Sequence, residues 1–251
     1  MKKIQHLFLC AAVLILTIAT NNILADDIRV AVASNFSDTI KLIIERFEDK
    51  TGHKVILSVG STGKHYAQII NGAPFELFFA ADMRRPELLD KEGLIISGSR
   101  FTYAIGKVVL WSPEVNFVDA SGDVLKQGKF RFLALANPKL APYGKGAQQA
   151  LQQRGDWHGL RKRMVRGENI GQAYQFVKSG NAQLGFVALS HIKRPDKPIE
   201  GSFWLVPESL YDPIEQQAVL LKDNDTARDF LDFVKNDETQ TIIKGFGYGV
   251  P

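Results

Sequence analysis

The stretch Ile28–Ile69, IRVAVASNFSDTIKLIIERFEDKTGHKVILSVGSTGKHYAQI, decides the fold because its apolar period changes from strand to helix and back. Ile28 to Ala33 reads as a buried strand. Phe36, Ile40, Ile43, Ile44 and Phe47 then fall at helical spacing until Gly52 stops the helix. Lys54 to Val59 returns to a strand pattern, a helix is expected from about Gly63 to Asn71, and Phe75 to Ala80 (FELFFA) adds another apolar strand. The order βαβαβ implies a parallel sheet.

The alternation continues downstream. Pro86 to Glu92 reads as a short helix and Ile105 to Trp111 (IGKVVLW) as a strand. A second set follows: strand Phe132 to Ala136, a helix from about Tyr143 to Gln153, Met164-Val165, a helix from about Gly171 to Lys178, and strand Leu184 to Ala188. Gln217 to Leu221 forms a last strand, and helices at Ala227 to Lys235 and Thr239 to Lys244 close the chain. This is α/β throughout, and two lobes are the economical arrangement. Residues 26–104 and 217–251 would form the first lobe and 105–216 the second. Each is expected to be a mainly parallel sheet flanked by helices, with a ligand cleft between them.

The chain opens Met1-Lys2-Lys3 and runs into an apolar segment from Leu7 to Ala19, followed by polar Asn21-Asn22 and the small residue Ala25. This is the pattern of a secretory signal peptide over residues 1–25, too short and wrongly flanked for a membrane span. A lipid anchor would need its cysteine at the end of the apolar run, whereas Cys10 lies inside it. Cys10 is the only cysteine, so the exported chain is expected to hold no disulfide and to rely on its core. Of 251 residues, roughly 226 would remain, enough for two well-buried lobes. Hydrophobic residues at 45% and charged residues at 23% are ordinary for a soluble globular protein. The formal charge of +4 includes Lys2 and Lys3, and no basic block suggests nucleic acid.

Gly63-Lys64 invites comparison with a phosphate-binding P-loop. That motif would require glycine at 58 and a hydroxyl at 65, where the chain has Ser58 and His65. What survives is a strand, a small hydroxylated turn and a helix start, which is an anion trap without nucleotide machinery. The pattern recurs. Ser34-Asn35, Gly60-Ser61-Thr62-Gly63, Pro142-Tyr143-Gly144 and Asn169-Ile170-Gly171 all lie at strand-to-helix turns. In open α/β sheets ligands lie beyond the carboxyl ends of the strands, where helix starts expose unpaired N–H groups and a partial positive charge. Two such turns per lobe, facing across a cleft, would enclose a small anion.

Together with these turns, Val32-Ala33-Ser34-Asn35-Phe36, the run Gly60 to Ile69, Asn71-Gly72-Ala73-Pro74-Phe75-Glu76 with Ala80-Ala81-Asp82, and Leu184-Gly185-Phe186-Val187 occur in family order. The sequence resembles the periplasmic molybdate-binding proteins of ABC transporters, members of the type II solute-binding fold. The resemblance covers essentially the whole exported chain, and the Ser-Asn-Phe turn and "GAPFE…AAD" are its most specific parts. It implies a periplasmic monomer that captures molybdate, and tungstate with it, for a membrane permease. It implies no cofactor, no catalysis, and molybdenum held only as its oxyanion with no direct protein ligand to the metal.

Carried over to this sequence, the resemblance implies hydroxyl and backbone N–H groups from Ser34 and Thr62, a further N–H from Asn35, and backbone N–H groups from Tyr143 and Ile170. Ser61 and Gly63 stand beside them as secondary candidates. Ala188 departs from members that place a tyrosine there to donate its phenol, and Asn35 is the expected replacement for that donor.

Each residue also has a plain structural explanation. Ser34 and Thr62 taken singly read as helix caps; Tyr143 as a turn aromatic; Ile170 as a packing residue of which only the N–H matters; Lys64 and His65 as solvated or supporting; Asp82 as structural, since a carboxylate would repel a dianion. An enzyme is the competing class, with Ser61 or Thr62 as nucleophile and His65 as base. No G-x-S-x-G elbow, H-E-x-x-H motif or Cys/His cluster supports it. His53, His65, His158 and His191 are scattered.

Neutral donors held by helix termini suit a fully ionised tetrahedral dianion. Hydrogen bonds to charge contribute about 1.5 to 3 kcal/mol each, so about five to seven of them support micromolar to nanomolar binding after the costs of closure. Phosphate still carries a proton near neutral pH and would want an acceptor. A sulfate-class receptor on the same fold is the alternative expectation.

Overall fold

The computed structural model describes residues 27–251, and the expected export signal lies outside the described residues. Two five-stranded sheets organise the chain. The first runs β2 (Val55–Gly60), β1 (Ile28–Ala33), β3 (Leu77–Phe79), β10 (Ile214–Leu220), β4 (Phe101–Gly106). The second runs β7 (Met164–Gly167), β6 (Leu133–Ala136), β8 (Leu184–Ala188), β5 (Val108–Ser112), β9 (Ser202–Leu205). In each, the first three strands are parallel, the fourth runs opposite to them, and the fifth pairs antiparallel with the fourth and so runs with the first three. Helices pack on these sheets, giving a two-lobed α/β fold.

The first sheet forms because β1 is buried from Val30 to Ala33 and the helix Ser37–Thr51 turns Ile40, Ile43, Ile44 and Phe47 onto it. That helix ends at Gly52, whose φ of 77° glycine adopts without steric cost. Phe36, Phe79, Tyr103 and Phe230 complete this core. The second core gathers Leu110, Leu135, Leu151, Phe186 and Val187.

The expected strand Ile105 to Trp111 is instead two strands, β4 in the first sheet and β5 in the second, broken at Lys107. Apolar residues stand on both sides of Lys107, and one polar residue is ordinary within a strand, so periodicity alone could not separate the two. The chain crosses between sheets there and again between Tyr211 and Ile214, a few residues from the expected boundaries at 104/105 and 216/217. The short strand β9, between Pro198 and Pro207, escaped the sequence pattern. A β-bulge between Gln216 and Gln217 shifts the β10–β4 register beside the second crossing.

Candidate anion-binding site

Four turns leave the carboxyl ends of β1, β2, β6 and β7. These strands are paired in register, Ala33 with Gly60 in one sheet and Ala136 with Gly167 in the other. Parallel pairing sets the turns side by side in twos, and the lobes bring the two pairs together. Ser34, Asn35, Ser61, Thr62, Tyr143 and Ile170 line one small cavity between them. All five principal residues expected from sequence therefore meet, with Ser61. Gly63 stands outside the lining, where its N–H donates to the Leu140 carbonyl of the other lobe at 2.9 Å.

The donors follow from how each helix starts. Ser61 caps the helix Thr62–Ile70 by accepting from Lys64 N–H, and Asn169 caps the helix Ile170–Lys178 by accepting from Gln172 N–H. Thr62 and Ile170 are thus first-turn residues whose N–H groups have no intrahelical acceptor. Pro142 opens the helix Pro142–Gln153 and has no N–H, so Tyr143 supplies the first donor there. The N–H groups of Thr62, Tyr143 and Ile170 have no other partner among the described residues. Helix Pro142–Gln153 can approach this closely because residue 144 is glycine: a Cβ there would lie 2.4 Å from the Ala136 carbonyl oxygen.

Neither hydroxyl is a plain helix cap. Thr62 Oγ1 accepts from Ala81 N–H at 3.0 Å, which leaves its own proton free for the cavity. Ser34 begins a 3₁₀ turn, Ser34–Phe36, and its Oγ accepts from Gly171 N–H of the other lobe at 3.1 Å. Behind this turn the carbonyls are held. Ser190 Oγ and Tyr248 OH donate to Asn35 O at 2.9 and 2.7 Å, and His191 Nε2 lies 3.3 Å from Ser34 O. Burial holds the His191 imidazole neutral, with its pKa down at about 4.

Of the two readings of His65, solvated or supporting, the structure has the second: it is 2% exposed, its Nε2 contacts Val32 O at 3.2 Å and its Nδ1 contacts the Gln68 side chain at 3.0 Å. The first turn of its helix folds back over β1, and burial lowers its pKa. Lys64 is exposed but reaches across the cleft to Glu168 at 3.2 Å. The expected role of Asn35 depends on how its amide is turned. Its amide nitrogen contacts Gln216 Oε1 at 2.6 Å and Tyr248 OH at 3.1 Å, so in this arrangement its side chain does not take the place of the phenol missing at Ala188. Asp82 pairs with Arg85, whose Nη2 donates to the Lys139 carbonyl across the cleft at 3.2 Å.

Sequence reasoning did not assign Ala81 and Asn169, which also line the cavity, or Gln216 and Tyr248, which support it. The signal for Gln216 was available in part: Glu215-Gln216-Gln217 is a polar stretch between Ile214 and the apolar end of the strand, Ala218 to Leu220.

No ionised side chain lines the cavity; its field comes from helix starts and hydroxyls. The cavity holds about 10 Å³, the room of a single water and far below the roughly 300 Å³ or more of sites for organic ligands.

The model of the family described as bacterial extracellular solute-binding protein matches residues 28–249. The molybdate-binding protein ModA of Azotobacter vinelandii is 51% identical over 229 residues, covering 90% of this chain and 91% of that protein. ModA of Rhodobacter capsulatus is 44% identical, covering 89% and 88%. Among solved structures, the Azotobacter vinelandii periplasmic molybdate-binding protein superposes with a TM-score of 0.87 at 43% identity, covering 89% of this chain and 99% of that one. Two mixed sheets, paired turns and near end-to-end identity agree: the chain belongs to the bacterial extracellular solute-binding protein family.

Proposed function

We propose that this chain captures molybdate between its lobes, in the periplasm after export, and delivers it to the membrane permease of an ABC transporter. The observation that carries this reading is the cavity itself: four strand-to-helix turns, two from each lobe, converge with hydroxyl and N–H donors and no charged side chain. Such a site stabilises a dianion through oriented dipoles and rejects oxyanions that carry a proton. Ser34, Thr62, Tyr143 and Ile170 are the donors, with Asn35 beside them, and the ligand brings its own metal. The cavity as described is smaller than a tetrahedral oxyanion, so binding begins with the lobes apart and ends with them closed on the ligand by bending at the two crossings. Tungstate, close to molybdate in size and charge, is expected to bind as well, and the protein is expected to act as a monomer.

The hydrolase alternative lacks a geometry. Both ring nitrogens of His65 are engaged by Val32 and Gln68, so the imidazole activates neither Ser61 nor Thr62. Titration calorimetry of the exported form with molybdate, tungstate, sulfate and phosphate tests the proposal. Saturable one-to-one binding of molybdate and tungstate, with phosphate far weaker, is expected; binding of sulfate alone would overturn it.

A further inference from the structure

Three buried polar atoms beside the site have no hydrogen-bond partner among the described residues: Asn35 Oδ1, Gln216 Nε2 and the Tyr143 hydroxyl. They belong to one cluster. Asn35 Nδ2 lies 2.6 Å from Gln216 Oε1, and the Tyr143 hydroxyl and Gln216 Nε2 meet beside Gly106, at 2.1 and 3.2 Å from where a Cβ there would stand. The cluster joins the lobes, because Asn35 follows β1, Gln216 sits at the bulge of β10, and Tyr143 enters from the second lobe. Residue 106 must be glycine for this meeting, since a Cβ there would lie 2.1 Å from the Tyr143 oxygen. Burial keeps the Tyr143 and Tyr103 phenols protonated, so each brings one proton to place.

A carboxamide turned by 180° about its last bond keeps its shape and exchanges donor for acceptor. Turning Gln216 and Asn35 together satisfies what the first arrangement leaves orphaned. The Gln216 oxygen then accepts from the Tyr143 hydroxyl, and the Gln216 nitrogen donates to Asn35 Oδ1. Tyr103 fits better as well. Its single proton goes to Ala80 O at 3.1 Å, so its contact with Gln216 at 3.3 Å is best met by an amide N–H donating to it. Tyr248 can give its proton to Asn35 Oδ1 while Ser190 keeps the Asn35 carbonyl supplied. The Asn35 amide nitrogen is left where the orphaned oxygen stood, on a residue that lines the anion cavity.

We infer that Gln216, oriented by the Tyr143 hydroxyl from the opposite lobe, is a positioning residue that sets which end of the Asn35 carboxamide faces the oxyanion. With the N–H end inward the site is all donors and selects a fully deprotonated dianion. With the oxygen inward it gains an acceptor and favours an oxyanion carrying a proton. Tyr143 then serves twice: its backbone N–H faces the ligand, and its phenol fixes the amide pair only when the lobes are closed.

This inference rests on the molybdate reading. Its test is calorimetry on the full exported chain with molybdate and with phosphate for wild type, Tyr143→Phe and Gln216→Glu. The Gln216→Glu carboxylate accepts from both the Tyr143 hydroxyl and the Asn35 amide, locking the Asn35 oxygen inward. Molybdate affinity should fall about 10- to 100-fold, the scale of one hydrogen bond to a charged group exchanged for a repulsive contact, and the molybdate-to-phosphate affinity ratio should fall with it. Tyr143→Phe removes a single oxygen and keeps the backbone N–H. It should lower molybdate affinity several-fold, roughly half the effect on a logarithmic scale, and move the ratio in the same direction. Wild-type molybdate binding with an unchanged ratio in both variants would overturn the inference and leave the proposed function standing. If Gln216→Glu fails to fold, Tyr143→Phe alone decides by the same ratio. Wild type that binds no molybdate would defeat the functional reading itself.

Discussion

The two lobes bring different chemistry to the same cavity. The first presents side-chain hydroxyls, Ser34, Ser61 and Thr62, on turns after β1 and β2. The second presents the backbone N–H groups of Tyr143 and Ile170; the Ile170 side chain packs in its own core, while the Tyr143 phenol reaches across to Gly106 and Gln216 of the first lobe. The first lobe is therefore sensitive to which residue stands at the turn, and the second to where the backbone runs. The Tyr143 phenol apart, a substitution that preserves the backbone should be felt on the first side and scarcely on the second.

Gly144→Ala attacks the second lobe through its backbone. The added Cβ would fall 2.4 Å from Ala136 O and 2.8 Å from Ala136 C, neither of which can yield without moving β6. The start of helix Pro142–Gln153 must shift, taking the Tyr143 N–H with it. Overpacking of this kind costs about 1–3 kcal/mol, and a displaced donor adds its own loss. We expect the largest fall in molybdate affinity here, about 100-fold or more, with a lower melting temperature. Unchanged affinity would show that Tyr143 N–H is not a donor.

Thr62→Ala tests the first lobe through its side chain. It removes the free hydroxyl proton and strands the buried Ala81 N–H, which now donates to Thr62 Oγ1. Binding should weaken by about 1–3 kcal/mol, and Thr62→Ser should restore most of it. If the melting temperature falls while the folded fraction binds as before, the hydroxyl serves Ala81 alone.

The interface behind Ser34 gives a pH signature. The folded pKa of His191 lies at about 4, below the ordinary value of about 6.5. Between these values the unfolded chain binds a proton that the native state refuses, so this stability is full above pH 6.5 and is lost as pH falls toward 4. His65, also lowered by burial, acts in the same direction. Melting temperature should be flat from pH 7 to 8 and fall below 6.5. His191→Gln should flatten that fall.

Ile170→Val should produce the smallest effect. Losing one buried methylene costs about 0.5–1.5 kcal/mol of stability, while the N–H that faces the cavity is untouched. Affinity within about twofold of wild type is expected by calorimetry, and a tenfold loss would mean that the side chain shapes the cavity.

The same division explains what was legible in the sequence. Buried strands and amphipathic helices declare themselves by period, so β1, β2, β6, β8 and the helices between them were readable within a few residues. Hydroxyls at turns were readable too. Backbone donors carry no side-chain signature: Ile170 looks like any packing residue, and only resemblance to known proteins pointed to its N–H. For His65 the choice between solvated and supporting stayed open because a single sequence does not show that a first-turn ring folds back onto Val32 O. The break at Lys107 was hidden for a related reason, since apolar residues flank it on both sides and such a run does not reveal which sheet owns it.

The most direct test is a crystal structure of the molybdate complex, with the metal located by its anomalous scattering. The account predicts one peak in the cavity between the Ser34 and Thr62 turns of the first lobe and the Tyr143 and Ile170 helix starts of the second, its oxygens accepting from all four. A peak elsewhere, for instance in the basic groove beside Arg84 and Lys145 or the pocket beside Trp111 and Tyr174, would contradict it.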